Sequence, residues 1–81
     1  MEEKVGVVKH YFDKIGVALI LVDKELKVGD KIRFDGLLPF VQVVESMQSH
    51  HKEISEAKSG DEIGMKTEKP VSDGMRVVKL L

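Results

Sequence analysis

Histidine and serine are the residues of this sequence most able to do chemistry, because the chain contains no cysteine. A zinc site would have to use His10, His50 and His51, and zinc normally takes three or four converging ligands. Adjacent residues of a strand point to opposite faces, so His50 and His51 can bind one ion only if the chain turns there. We therefore predict neither a metal site nor any other cofactor.

Nucleophilic catalysis would require one of the serines to lie beside a histidine base. No serine lies in a nucleophile elbow or a comparable motif; the five are Ser46, Ser49, Ser55, Ser59 and Ser72. The glycines of residues 60–66 do not have the spacing of a phosphate-binding loop, so we predict no GTP binding. The sequence predicts a protein that is not an enzyme.

Length and charge narrow the class of protein further. Eighty-one residues are enough for one domain, 1–81, with a core at about residues 5–80. The net charge of −1 and the pI of about 6.3 argue against binding nucleic acid through charge alone. Domains that bind in that way typically have a pI above about 9. The longest apolar run, residues 15–22, is far shorter than the roughly 20 residues of a membrane helix. We expect a cytoplasmic protein with no membrane contact.

Strand patterns dominate the chain. Lys31, Ile32, Arg33 and Phe34 alternate, which places Ile32 and Phe34 on the core side of a strand. Apolar or alternating runs predict six strands, at 5–11, 15–22, 31–34, 41–47, 62–66 and 75–80. The run 15–22 is apolar throughout, as in a strand covered on both faces or in the wall of a barrel. Two adjacent valines, Val43 and Val44, predict a β-bulge that helps the sheet curl.

The sequence HHKEISEAKSGDEIG, residues 50–64, resembles the second domain of translation elongation factors of the elongation factor Tu type. LKVGD at residues 26–30, before a strand that ends in glycine, belongs to the same resemblance. The resemblance covers about residues 5–80. It implies an all-β fold, a closed six-stranded β-barrel with Greek-key connections.

The resemblance also implies a nucleic-acid contact at one strand end. In the similar domains this strand end helps to hold the 3′ adenosine of aminoacyl-tRNA, and the two matching positions are Gln48 and His51. The implied function is a non-catalytic, translation-factor-like module that contacts tRNA, ribosomal RNA or a ribosomal component. On composition alone, residues 50–52 are better explained as a solvated strand end. The predicted RNA-contacting residues are Gln48, His50, His51, Lys52, Lys9, His10 and Lys14.

A second candidate site is the apolar hairpin, by which we mean Leu37, Leu38, Pro39 and Phe40. Loops normally run over the surface, so four apolar residues in a connection are unexpected. Either Leu37 and Phe40 cap the end of the barrel, or the hairpin is an exposed patch that meets a protein partner or a second copy. The alternative function is therefore a protein-interaction or oligomerisation module that docks on a partner enzyme. Similar barrels also occur as non-catalytic parts of certain collagenase-like peptidases.

Overall fold

A computed structural model describes residues 2–81, and regular structure in this part of the chain consists of strands. The ten strands are Glu2–Phe12 (β1), Val17–Val22 (β2), Leu26–Lys27 (β3), Lys31–Asp35 (β4), Phe40–Val43 (β5), Met47–Ser49 (β6), Lys52–Ile54 (β7), Glu56–Ala57 (β8), Glu62–Lys66 (β9) and Arg76–Leu80 (β10). Residues 2–81 include no helix that is long and apolar enough to cross a membrane.

Eight strands form one antiparallel sheet in the order β5-β4-β10-β1-β2-β9-β6-β7, while β3 and β8 form a separate two-stranded ribbon. The pairing register of β1 shifts twice, between Lys4 and Gly6 and between Val8 and His10. Such bulges add a residue to one strand and increase its bend. The sheet therefore curls around one core without closing into a barrel.

The inner face of the curled sheet carries the hydrophobic core. On β2, Ala18, Ile20 and Val22 are buried, whereas Val17, Leu19 and Leu21 on the other face are only half-buried. Ile32 and Phe34 are fully buried, as the alternation of their strand predicted. Of the two alternatives for residues 15–22, coverage of both faces was therefore wrong, because nothing within residues 2–81 fully covers the outer face of β2.

The all-β class is confirmed, but the closed six-stranded barrel was wrong. The predicted strand 41–47 is two strands, β5 at one edge of the sheet and β6 near the other edge. Val44 donates its N–H to the Asp30 carbonyl at 2.9 Å and accepts the N–H of Gly29 at 2.8 Å. The chain then turns, and Met47 pairs with Met65 of β9. The adjacent valines thus mark a corner between two strands and not a bulge.

One buried glutamine bridges the open side of the sheet. Gln42 on β5 is 4% exposed. Its Nε2 donates to the carbonyl of Lys66 at 3.0 Å, and its Oε1 accepts the N–H of Glu68 at 2.9 Å. A side-chain amide therefore links β5, at one edge of the sheet, to the end of β9.

Candidate functional site

The apolar hairpin joins β4 to β5, and its tip is the most exposed apolar feature of residues 2–81. Leu37 is 99% exposed and Leu38 is 86% exposed. Capping of the barrel by Leu37 was therefore wrong, whereas Phe40 does pack against the core. Burying a leucine side chain stabilises a protein by about 1.5–3 kcal/mol. A partner that covers both exposed leucines would therefore gain a substantial free energy of binding.

The base of the hairpin is held firmly. The Phe40 ring stacks on Phe34 with ring centroids 5.1 Å apart. Lys69 places its Nζ 5.9 Å from the centroid of Phe40. A β-carbon at Gly36 would overlap the ε-methyl of Met75, so Met75 packs directly on this glycine. The tip leucines therefore project from a fixed base, which lowers the entropy cost of binding.

The outer face of the sheet holds a second apolar surface, which we call the outer groove. One row of paired residues crosses it, His10 to Leu19 to Gly64 to Gln48. Gly64 has no side chain, so the row leaves a depression beside Val17. The groove has a volume of about 320 Å³. Its lining residues are Phe12, Ile15, Val17, Leu19, Gln48, Ser49, His50, His51, Glu62 and Gly64.

Two histidines form a strained turn at the rim of the outer groove. Ser49 pairs with Lys52, so His50 and His51 are the whole loop between β6 and β7. Their φ angles are +52° and +64°, the values that a type I′ hairpin turn requires. Non-glycine residues adopt positive φ uncommonly. The prediction that His50 ends a strand was wrong, because it is the first turn residue.

The structure separates the predicted RNA-contacting residues into two groups. Gln48, His50 and His51 line the outer groove. Lys52 begins β7, next to β6, whereas Lys9, His10 and Lys14 lie on or just after β1, which β2 and β9 separate from β6. Lys9 is the extra residue of a β1 bulge. RNA contact by the seven residues stays a prediction.

His10 lies on the other flank of the groove, with Phe12. Their rings meet edge to face with centroids 4.5 Å apart. His10 Nδ1 also lies 4.0 Å from Asp73 Oδ1. Phe12 and Ile15 form a ridge that separates the outer groove from a wider groove of about 680 Å³, which runs along Val71 and Asp73. The aromatic flank thus faces two depressions.

Ion pairs are concentrated away from the outer groove. Arg33 on β4 forms two hydrogen bonds of 2.7 and 2.9 Å with Glu2, and it also pairs with Asp35. Hydrogen bonding to Arg33 lowers the pKa of Glu2 and that of Asp35, while the two carboxylates raise the pKa of Arg33. Arg33 is also the pairing partner of Val78, which is buried although it lies outside the core cluster.

Metal ligands do not converge in the part of the chain that the structure describes. No group of three or more histidine, aspartate or glutamate side chains within residues 2–81 could hold an ion together. The two adjacent histidines share a turn, which the sequence left open. These surfaces offer apolar contact, hydrogen bonding by Gln48, and charge at the rims.

Sequence reasoning missed the groove residues Phe12, Ile15, Val17, Leu19 and Gly64. The signal was present at Gly64, since a glycine inside a strand often marks a place where something approaches closely. Its meaning depends on the pairing of Gly64 with Leu19 and Gln48, which only the fold reveals.

Comparison with known proteins overturns the resemblance to elongation factors. The chain is 37% identical over 79 residues to an uncharacterized protease of Methanocaldococcus jannaschii, a match that covers 95% of this chain and 19% of the protease. No protein-family model matches the chain. The chain therefore spans about a fifth of the length of this curated relative.

Two crystal structures have the same fold. Both are of the C-terminal domain of a Geobacillus thermoleovorans protein named as a U32 peptidase. The selenomethionine form has a TM-score of 0.88 at 22% identity and covers 96% of this chain and 99% of that chain. The other has a TM-score of 0.91 at 23% identity and covers 98% and 93%. The prediction of a translation-factor domain was wrong, because the similar proteins are a protease and the C-terminal domain of a peptidase.

Proposed function

We propose that this chain is a non-catalytic protein-interaction module whose contact element is the apolar hairpin. The observation that carries the proposal is the exposure of Leu37 and Leu38, 99% and 86%, on a base fixed by Phe40 and Gly36. Exposed apolar patches on otherwise polar surfaces are typical of protein contacts.

The strand that follows the hairpin extends the same surface. Val41 is 44% exposed and Val43 is 47% exposed, and both lie on β5 at the edge of the sheet. An edge strand has unpaired main-chain groups, and proteins usually protect it with charged residues or a covering segment. The hairpin and the two valines supply a continuous apolar strip for one partner.

The similar proteins indicate where such a module works. The protease of Methanocaldococcus jannaschii is about five times longer than the segment that matches this chain, since the match covers 19% of it. The Geobacillus thermoleovorans domain is named as the C-terminal part of a U32 peptidase. In this proposal the module acts together with such a peptidase. It holds the enzyme in a protein assembly and takes no part in bond cleavage.

The proposal is tested by charge substitution at the hairpin tip. Sedimentation velocity is measured for the chain alone and mixed with the Methanocaldococcus jannaschii protease lacking its matched segment. Leu37→Asp and Leu38→Asp should each weaken the association at least about tenfold, since each removes a leucine contact worth about 1.5–3 kcal/mol.

Val28→Asp is the matched control, because Val28 is 42% exposed and lies in the connection between β3 and β4. It should bind as the wild type does. A wild-type chain that associates neither with itself nor with the peptidase portion would end the proposal.

RNA contact is the second candidate function. It is favoured by one observation, that an aromatic and three imidazole side chains, Phe12, His10, His50 and His51, flank one outer face. Exposed rings are the side chains on which single-stranded bases stack. Titration with single-stranded RNA at two salt concentrations tests it, and equal binding by wild type and the His50→Ala/His51→Ala double variant would count against it.

A further inference from the structure

The apolar hairpin and the outer groove are two surfaces of one chain that do not meet within that chain. The hairpin joins β4 to β5, and the groove lies over β2, β9 and the end of β6. In the sheet, β10 and β1 separate β4 from β2. The leucines at the hairpin tip are almost fully exposed, so the chain's own groove leaves them uncovered.

The groove has the size and the chemistry to receive such a tip. Its floor is built from apolar groups, among them Val17 and Leu19, with Phe12 and Ile15 along one side. At Gly64 it deepens into a depression of about 120 Å³. This is the room of about four water molecules at roughly 30 Å³ each, comparable with the isobutyl group of one leucine.

Charges beside the two surfaces are complementary. Lys69 lies over the Phe40 ring at the base of the hairpin, and Glu62 lies at the rim of the groove. Neither forms a salt bridge with another residue of the part of the chain that the structure describes. Lys66 lies at the depression. These charges therefore favour one orientation of a hairpin in the groove of another copy, with Lys69 towards Glu62 and away from Lys66.

We infer that the apolar hairpin of one copy of this chain inserts into the outer groove of a second copy. The inference rests on the proposed function, in which the hairpin is the contact element, and it names the partner as a second copy. The contact is head to tail, because a different surface of each copy takes part. Such a contact continues into a ring or a filament according to the rotation between copies.

The size of the contact sets its strength. Two leucines and a groove of about 320 Å³ form a small interface, and small interfaces belong to the weak and transient class. The isolated chain should therefore associate in a concentration-dependent way. A peptidase that carries the module would raise the local concentration of hairpins and grooves and so strengthen the contact.

A complementation experiment tests the geometry. Leu38→Asp disables the hairpin and keeps the groove, whereas Gly64→Val fills the depression and keeps the hairpin. A β-carbon at position 64 meets only Val17 Cγ1, at 3.4 Å, and valine favours strands, so Gly64→Val should remain folded. Circular dichroism and a thermal midpoint establish folding before association is compared.

Sedimentation equilibrium is then run on each variant and on their equimolar mixture. Each variant alone should associate at least tenfold more weakly than the wild type. The mixture should form a one-to-one dimer and nothing larger, because one intact hairpin meets one intact groove. A mixture that stays monomeric, or wild-type chain that is monomeric at millimolar concentration, overturns the inference.

A charge exchange tests the direction of insertion. Glu62→Lys and Lys69→Glu should each weaken self-association, and the double variant that carries both should recover most of the loss. Glu53→Lys is the control for charge alone, because Glu53 is exposed on β7 and does not line the groove. Equal weakening by the double variant and by the single variants contradicts the proposed pairing.

Cysteine trapping separates this contact from a symmetric one, and the absence of native cysteine makes the readout clean. A chain with Leu38→Cys is mixed with a chain carrying Ser49→Cys, since Ser49 lines the groove. A mixed disulfide dimer supports the inference. A dimer of Leu38→Cys chains alone, formed faster than the mixed one, shows hairpin against hairpin and overturns it.

The failure of this inference differs from the failure of the proposed function. A chain that never self-associates, but whose Leu38→Asp variant loses binding to the peptidase portion, contradicts only the second copy as partner. A chain that associates with neither contradicts both.

Discussion

Gln42 is the buried polar side chain in the core of residues 2–81. Its amide nitrogen donates one hydrogen bond and its amide oxygen accepts another. Glutamine can donate and accept at once, so it replaces one donor and one acceptor of a main-chain ladder. A hydrophobic residue of similar length would fill the space, but it would leave the Lys66 carbonyl and the Glu68 N–H without these partners. The residue therefore decides how the open side of the sheet is held.

Gln42→Met should lower the free energy of unfolding by about 2–3 kcal/mol, since two hydrogen bonds are lost and two main-chain groups lose their partners. Urea denaturation monitored by circular dichroism measures the change. Gln48→Met is the matched control, because Gln48 is exposed on β6, and it should change stability by no more than about 0.5 kcal/mol. An equal effect of the two substitutions would show that the Gln42 amide adds nothing.

The turn between β6 and β7 shows how an element can be kept in a conformation that its residues disfavour. Type I′ turns prefer Asn-Gly, because both central residues take positive φ. His50 and His51 take those angles without being glycine. Strain of this kind costs of the order of 1 kcal/mol or more per residue.

The double substitution His50→Asn/His51→Gly should raise the free energy of unfolding by about 1–2 kcal/mol, because it relieves the two strained φ angles. The urea midpoint measures this. His10→Asn serves as the control, since His10 lies within β1, and it should give no such gain. A double variant less stable than the wild type would mean that the imidazoles make stabilising contacts that outweigh the strain.

At the scale of the whole molecule, the Arg33 ion pairs tie β4 to the start of β1 across β10. Hydrogen bonding to Arg33 lowers the pKa of Glu2 from 4.5 and that of Asp35 from 3.8. A carboxyl group with a lowered pKa stabilises the fold above its ordinary pKa, and this stabilisation is lost as the pH falls through the lowered value. Acid should therefore weaken this side of the sheet.

Arg33→Gln should reduce stability at pH 6, and the difference from the wild type should shrink as the pH falls below the ordinary pKa values of Glu2 and Asp35 and through their lowered values, because the two carboxylates become protonated. Urea midpoints at several pH values follow it. Lys31→Gln is the control, a cation on the same strand without an ion pair in residues 2–81. A gap between Arg33→Gln and wild type that is independent of pH would assign the role of Arg33 to its packing over Val78.

Local pattern predicted the longer strands, missed the short strands β3, β7 and β8, and failed at the arrangement of the strands. The strand at residues 62–66 has the predicted bounds, and the β4 alternation placed Ile32 and Phe34 correctly, because each depends on the period of one strand. The run 41–47 failed because no local property of Val44 shows that the chain leaves one edge of the sheet for the other. The closed barrel and the family were wrong for another reason: both were implied by the resemblance of residues 26–30 and 50–64 to elongation factors, and short motifs do not determine how strands pair.

The candidate surfaces follow the same division. The apolar hairpin was recognisable from composition alone, since Leu37 and Leu38 stand in a connection. The outer groove was not, because Leu19, Gly64 and Gln48 come from three strands and meet only through the sheet register. Pairing over such distances in the chain is set by tertiary packing, which a single sequence does not display.

The side-chain amide of Gln42 also affects where the sheet opens transiently. It joins β5, at one edge of the sheet, to the end of β9 and to Glu68, so this link can break without breaking a main-chain pairing of the sheet. In deuterated water the peptide protons of Val41 and Val43, at the free margin, should be replaced first, and those of Ile20, deep in the central strands, last. We expect the curled sheet to open along one side, and the edge formed by Val41 and Val43 is the part that opens.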